Sequence, residues 1–209
     1  MKNNKKKISV VAICLLLTVV LAVGGTLAYL FTTTLPVENT FQPARVGNYV
    51  EETFDGVTKT NVKVENSVEG DTTEVVNAYI RATYVVTWQK SETKEGKTVK
   101  YMKPADADDY TVSLNLDSTA PGDVTGKWIK FGDYYYFTGV VAPGNTTDVL
   151  INSISPVNGA APAGYNLHVE ILSQSIQAEG TNDKGETPAQ LKWGVTISAN
   201  SVAGYTPQP

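Results

Sequence analysis

Between residues 77 and 88 every second position is apolar: Ala78, Ile80, Ala82, Tyr84, Val86 and Trp88. Asn77, Arg81, Thr83 and Thr87, with Tyr79 and Val85, fill the alternate positions. A period of two predicts a β-strand with one face in a core and the other in water. The pattern returns in residues 111–117, with Val112, Leu114 and Leu116 inward, and in residues 191–199 through Leu191, Trp193, Val195 and Ile197. Leu167, Val169 and Ile171 mark another strand and turn His168 outward beside Glu170. Shorter runs stand at residues 61–64 and 148–154. Residues 128–131 and 134–137 flank Gly132-Asp133, a two-residue loop whose leading glycine suits a type II′ hairpin turn. No stretch sustains a 3.6-residue period. Eight or nine short strands at this spacing predict an all-β fold, a two-sheet antiparallel β-sandwich of jelly-roll or immunoglobulin-like type. Residues 90–100 and 179–188 read as long hairpin loops, and 201–209 as a flexible tail.

Ahead of the strands stand Lys2, Lys5, Lys6 and Lys7, an apolar run from Ile8 to Val23, and Gly24-Gly25-Thr26-Leu27-Ala28. A basic start, an apolar stretch and small residues at Thr26 and Ala28 predict a secretory signal peptide over residues 1–28, cut between Ala28 and Tyr29. The competing reading is an uncleaved membrane anchor, because uncharged residues continue through Leu30 and Phe31. Residues 29–45 read as an N-terminal arm broken by Pro36, residues 46–200 as the sandwich domain. Cys14, the only cysteine, lies in the leader, so the processed chain holds neither disulfides nor thiolate metal sites.

Composition supports one folded domain: 209 residues, 42% hydrophobic and only 18% charged. Without the four leader lysines, 13 basic residues face 21 acidic ones, a balance of −8. Such a chain is a poor binder of nucleic acid or of an anionic membrane, and the membrane is reached only through an uncleaved leader.

Chemistry-bearing residues are few. Zinc sites and catalytic triads need histidine or thiolate, and His168 is alone. No cofactor is expected. Asp106, Asp108 and Asp109 are weak calcium candidates that lack the glycine and distal glutamate of an EF-hand loop. Tyr134-Tyr135-Tyr136 places aromatics on both faces of a strand, either half core or an exposed patch for contact with carbohydrate. Asn145-Thr146-Thr147 matches a glycosylation sequon.

The leader's Gly24-Gly25-Thr26-Leu27-Ala28-Tyr29-Leu30-Phe31, followed by Val37-Glu38-Asn39-Thr40-Phe41, resembles the leader and mature start of the TasA and camelysin family of Gram-positive bacteria. Val62-Lys63-Val64-Glu65-Asn66-Ser67, Asn77-Ala78-Tyr79-Ile80-Arg81-Ala82, Ala142-Pro143-Gly144-Asn145-Thr146-Thr147 and Trp193-Gly194-Val195-Thr196 are similar to the family in order. The segment Gln42-Pro43-Ala44-Arg45 departs from the family, where a small residue and glycine follow. The resemblance implies a jelly-roll-like sandwich processed by a SipW-type signal peptidase. It implies a structural protein of the biofilm matrix, secreted to the extracellular matrix or cell surface, that lends its N-terminal segment as a strand to a neighbouring copy and meets other matrix components. Leu30, Phe31, Leu35, Val37 and Phe41 are the candidate arm contacts. Camelysin-like members have been called metalloproteases, a reading for which the residues are missing here. A membrane-retained surface binding module is the third class, and it requires an uncleaved leader or another anchor.

Overall fold

The computed structural model describes residues 45–117 and 126–206. The leader, the Ala28–Tyr29 junction and the arm contacts Leu30, Phe31, Leu35, Val37 and Phe41 lie outside the described residues.

Eleven strands follow in order: β1 Tyr49–Phe54, β2 Lys59–Glu65, β3 Ala78–Lys94, β4 Lys97–Pro104, β5 Tyr110–Leu114, β6 Trp128–Phe131, β7 Tyr134–Phe137, β8 Ile151–Pro156, β9 Asn166–Gln177, β10 Val195–Ser198 and β11 Ser201–Tyr205. A 3-10 turn, Ala107–Asp109, precedes β5, and among the described residues a helix, α1 Pro188–Trp193, precedes β10. The first sheet runs β1-β2-β8-β5. In the second, β3 is the spine: β9 pairs along one edge from Ala78 to Gln89, while β7 and then β4 share the other, with β6 outside β7. Every strand pair is antiparallel. The chain is thus an all-β antiparallel sandwich.

Alternation explains the core. Ile80, Ala82, Val86 and Trp88 of β3 meet Val62 and Val64 of β2, Ile151 and Ile154 of β8, and Leu167 and Val169 of β9. Removing each large apolar side chain from water stabilises the fold by roughly 1.5 to 3 kcal/mol. Trp128 closes one end, its Nε1–H donating to the Asp148 carbonyl at 2.7 Å. Gly132 takes φ 57°, as the expected turn requires.

Five expectations are corrected. The outer face of β3 is not uniformly wet: Tyr79 is buried there with Ile129, Tyr136, Trp193, Val195 and Val202 in a second cluster. Residues 191–199 are not one strand. Thr187 caps α1, its hydroxyl accepting from the Gln190 N–H, Pro188 occupies the first turn, and Gly194 ends the helix at φ 67°. That turn of helix leaves Leu191 exposed while Trp193 and Val195 are buried. Residues 90–100 are not a loop but the far halves of β3 and β4, joined by Glu95-Gly96 with φ 50° and 75°. The segment 201–209 is no flexible tail through Tyr205: β11 pairs with β10, Val202 is 1% exposed, and its N–H donates to the Thr138 carbonyl at 2.8 Å. Leu116, expected inward, lies beyond the end of β5 and is exposed.

Arg45, assigned to the arm, is fastened to the domain. Its Nε donates to the Thr73 carbonyl at 2.7 Å, and its guanidinium pairs with Asp71. The Thr73 N–H and hydroxyl, then Arg45, hold the Asp71 carboxyl down to about 2.

Candidate functional site

Two strands end their sheets on the same side of the sandwich, β1 in the first sheet and β9 in the second. Between them lies a groove of about 220 Å³ lined by Glu52, Phe54, Val57, Lys59, Ile154, Leu167, His168 and Val169. Its floor is aliphatic because Leu167 and Val169 face the core from β9 and Ile154 faces it from β8. A second depression continues it past Val50, Glu170 and Ile171.

Among the described residues, no strand pairs with the edge of β9 that faces away from β3. The Val169 carbonyl accepts from Lys59 Nζ at 2.6 Å, and the Ser173 carbonyl accepts from Asn48 Nδ2 at 3.0 Å. Lys59 belongs to β2 and Asn48 directly precedes β1, so odd-numbered residues of β9 turn their main chain away from β3. Strand alternation turns that of Ile171 the same way. Lys59 is only 12% exposed and ion-paired with Glu52 at 2.7 Å. Its stem fills part of the groove, and its ammonium occupies the carbonyl an added strand would use. The Ser173 hydroxyl donates to the Asn48 carbonyl at 3.0 Å, completing a second tie between the edges.

His168 is exposed beside this groove, on the opposite face of β9 from Leu167 and Val169. Asp109 accepts from Trp88 Nε1 at 2.8 Å and from the Asp106 N–H at 2.9 Å, and these bonds, the Trp88 one first, hold its carboxyl below the usual range. Its carboxylate thus serves the 3-10 turn and the core tryptophan, and no group of three or more His, Cys, Asp or Glu that could hold a metal forms among the described residues. Asp106 and Asp108 remain solvated. Of the three tyrosines, Tyr135 and Tyr136 are buried on opposite faces of β7 and Tyr134 is half-buried. They are mainly core. Arg81 lies over Tyr134 at 4.0 Å and over Trp193 at 4.7 Å, and donates to Gln174 Oε1 at 2.8 Å.

One residue that sequence reasoning did not single out fixes the segment that enters β1. Asn66 is 0% exposed. Its Oδ1 accepts from the Gly47 N–H at 2.9 Å, and its Nδ2 donates to the Val76 and Val141 carbonyls at 2.8 Å each. A Cβ on Gly47 would come within 2.3 Å of the Ser67 main chain, so only glycine lets the segment entering β1 lie this close. The signal available was an asparagine directly after the alternating Val62 and Val64, where the side chain can satisfy main-chain groups that leave the ladder. Asn145, the sequon asparagine, is exposed on the adjoining turn, and its carbonyl accepts from the Asn66 N–H at 2.9 Å.

Comparison with protein-family models, curated proteins and solved structures returns no match.

Proposed function

We propose that this protein is a secreted structural component of an extracellular or biofilm matrix, whose copies associate when the N-terminal arm of one adds as a strand to the β1–β9 side of the next. The observation that carries the reading is an edge of β9 that no described strand pairs with, above an aliphatic floor and tied across by Lys59 and by the Asn48–Ser173 pair. An arriving strand gains main-chain hydrogen bonds from the edge and pockets for alternate side chains from the floor. Leu35, Val37 and Phe41 have the alternate spacing for it, and Leu30 and Phe31 extend the apolar content. The leader's resemblance supports release by a SipW-type signal peptidase after Ala28. The function asks nothing of His168 or of the aspartates, and no cofactor enters it.

Residues 43–209 form one compact unit with its own cores, so arm and domain can be tested apart. Electron microscopy of residues 29–209 should show filaments that residues 42–209 do not form. Identical filaments from both would end the proposal. Val37→Asp and Phe41→Asp should weaken assembly while leaving the melting temperature unchanged, since they place a charge in the acceptor groove. Mass analysis of the secreted chain should show Tyr29 at its start. Recovery of Met1 in the membrane fraction alone would favour the anchored binding module.

A further inference from the structure

The balance of −8 outside the leader conceals a local excess of the opposite sign. Beyond Gln89, where pairing with β9 ends, β3 and β4 continue as a two-stranded ribbon. Residues 90–103 hold Lys90, Lys94, Lys97, Lys100 and Lys103 against Glu92 and Glu95, a balance of +3. Glu92 engages Lys90 and Lys94 at 2.6 and 3.5 Å, and Lys103 lies over the Tyr165 ring at 4.6 Å. Lys97 and Lys100 are exposed, with no ion-pair partner among the described residues.

The other end of β3 is acidic. The segment before Ala78 carries Glu69, Asp71 and Glu74, and the loop after Gln177 carries Glu179, Asp183 and Glu186. Gln177 pairs with Ala78, and Asn77 donates to Glu179 at 2.8 Å, so both segments sit at this end. Within these two segments Lys184 is the one cation, and Arg45 pairs with Asp71, which leaves −4 before Arg81 and Lys192 nearby are counted. The 17 residues of β3 hold the two ends about 50 Å apart. That is several times the screening length of about 8 Å at physiological salt, so the ends cannot neutralise each other within one molecule.

We propose that the β3–β4 ribbon of one molecule docks against the acidic end of a second copy. The contact is heterologous, and repeated it gives a ring or an open filament. It rests on the matrix reading only in taking a second copy as partner, for it uses neither the arm nor the groove. Two features favour this partner over an anionic polymer. Asp106, Asp108 and Asp109 follow the ribbon's root and oppose a long polyanion laid along it, whereas a compact acidic end can meet the tip alone. Lysines along both strands also keep ribbons from pairing edge to edge, which leaves side-chain contact as the mode of docking.

Sedimentation velocity of residues 29–209 at about 50 mM and about 500 mM salt tests this, since the higher salt shortens screening below the reach of exposed pairs. Lys97→Glu with Lys100→Glu should weaken self-association about tenfold or more at low salt. Adding Glu69→Lys and Glu74→Lys to the same chain should restore it. Circular dichroism of these surface variants checks folding, and Lys97→Gln with Lys100→Gln provides a milder second pair. Unchanged association in both lysine pairs, or loss without rescue, would overturn the contact, as would capture of alginate by the ribbon with self-association unaltered. Residues 42–209 should keep the salt-sensitive association as short oligomers in sedimentation, while the long filaments of residues 29–209 also need the arm. If the charge-reversed chain forms wild-type filaments with unchanged affinity, this contact fails and the arm reading stands.

Discussion

The two faces of β3 are built from one stretch of sequence and packed in different ways. Its inner face, Ile80 to Trp88, meets the opposite sheet along much of its length and shares one continuous aliphatic core. Among the described residues its outer face is covered near Ala78, where Tyr79 and Arg81 lie under Trp193 and Tyr136, while Val85 further along is 44% exposed. The inner face is closed by a second sheet. The outer one is closed by a patch, α1 with β10 and β11, contributed by the last part of the described chain. Alternation tells which residues share a face. Whether the second face is covered depends on a segment more than a hundred residues away.

The largest effect should come from the inner face. Trp88→Ala removes a 2%-exposed side chain and the partner of Asp109, and should cost about 3 to 5 kcal/mol, read as a lowered melting temperature. An unchanged midpoint would mean the faces are reversed. Trp193→Ala should cost less, about 2 to 3 kcal/mol, because the patch can settle onto Tyr136 from one side. The double variant should be additive within about 0.5 kcal/mol, since the tryptophans belong to separate clusters. Strong coupling between them would merge the two into one core. Arg81→Met keeps the apolar stem and removes the guanidinium over Tyr134 and Trp193, for about 1 to 2 kcal/mol by denaturant titration.

The smallest effect is alkaline. Burial, then the hydrogen bond with Tyr135, pushes the Tyr84 phenol up to about 12 on the inner face. The unfolded chain loses this proton near pH 10, and the folded one keeps it until about 12. The stability is therefore fully present below pH 10 and declines as pH rises from 10 towards 12. Tyr84→Phe should flatten that decline in melting temperature against pH. On the outer face burial also raises Tyr136, but the Arg81 hydrogen bond opposes it. Tyr136→Phe should change the slope less.

The same contrast explains what could be read from the sequence. β3, β9 and the β6–β7 hairpin carry their own apolar face or turn chemistry, and each appeared at its expected place. β4 carries neither. Its lysines and threonines are mostly exposed, and it is a strand because its eight residues register on Thr87–Lys94 of β3, a pairing no local pattern announces. For α1 the signal was present in Thr187-Pro188 with Gln190 and Gly194, but Trp193, Val195 and Ile197 also fit a period of two. The groove was legible in part: Leu167 and Val169 faced inward as expected, whereas Lys59 and Asn48 reach it only through the long-range meeting of two sheet edges.

The twelve register pairs between β3 and β9 also set how the domain meets mechanical load. Tension applied between the acidic end and the ribbon runs parallel to β3. A pull along a strand shears the ladder, so its hydrogen bonds share the force instead of breaking in turn as they would when unzipped from one end. The alternate, hydrogen-bonded pairs of this ladder, loaded together, make β3 the tendon of the molecule.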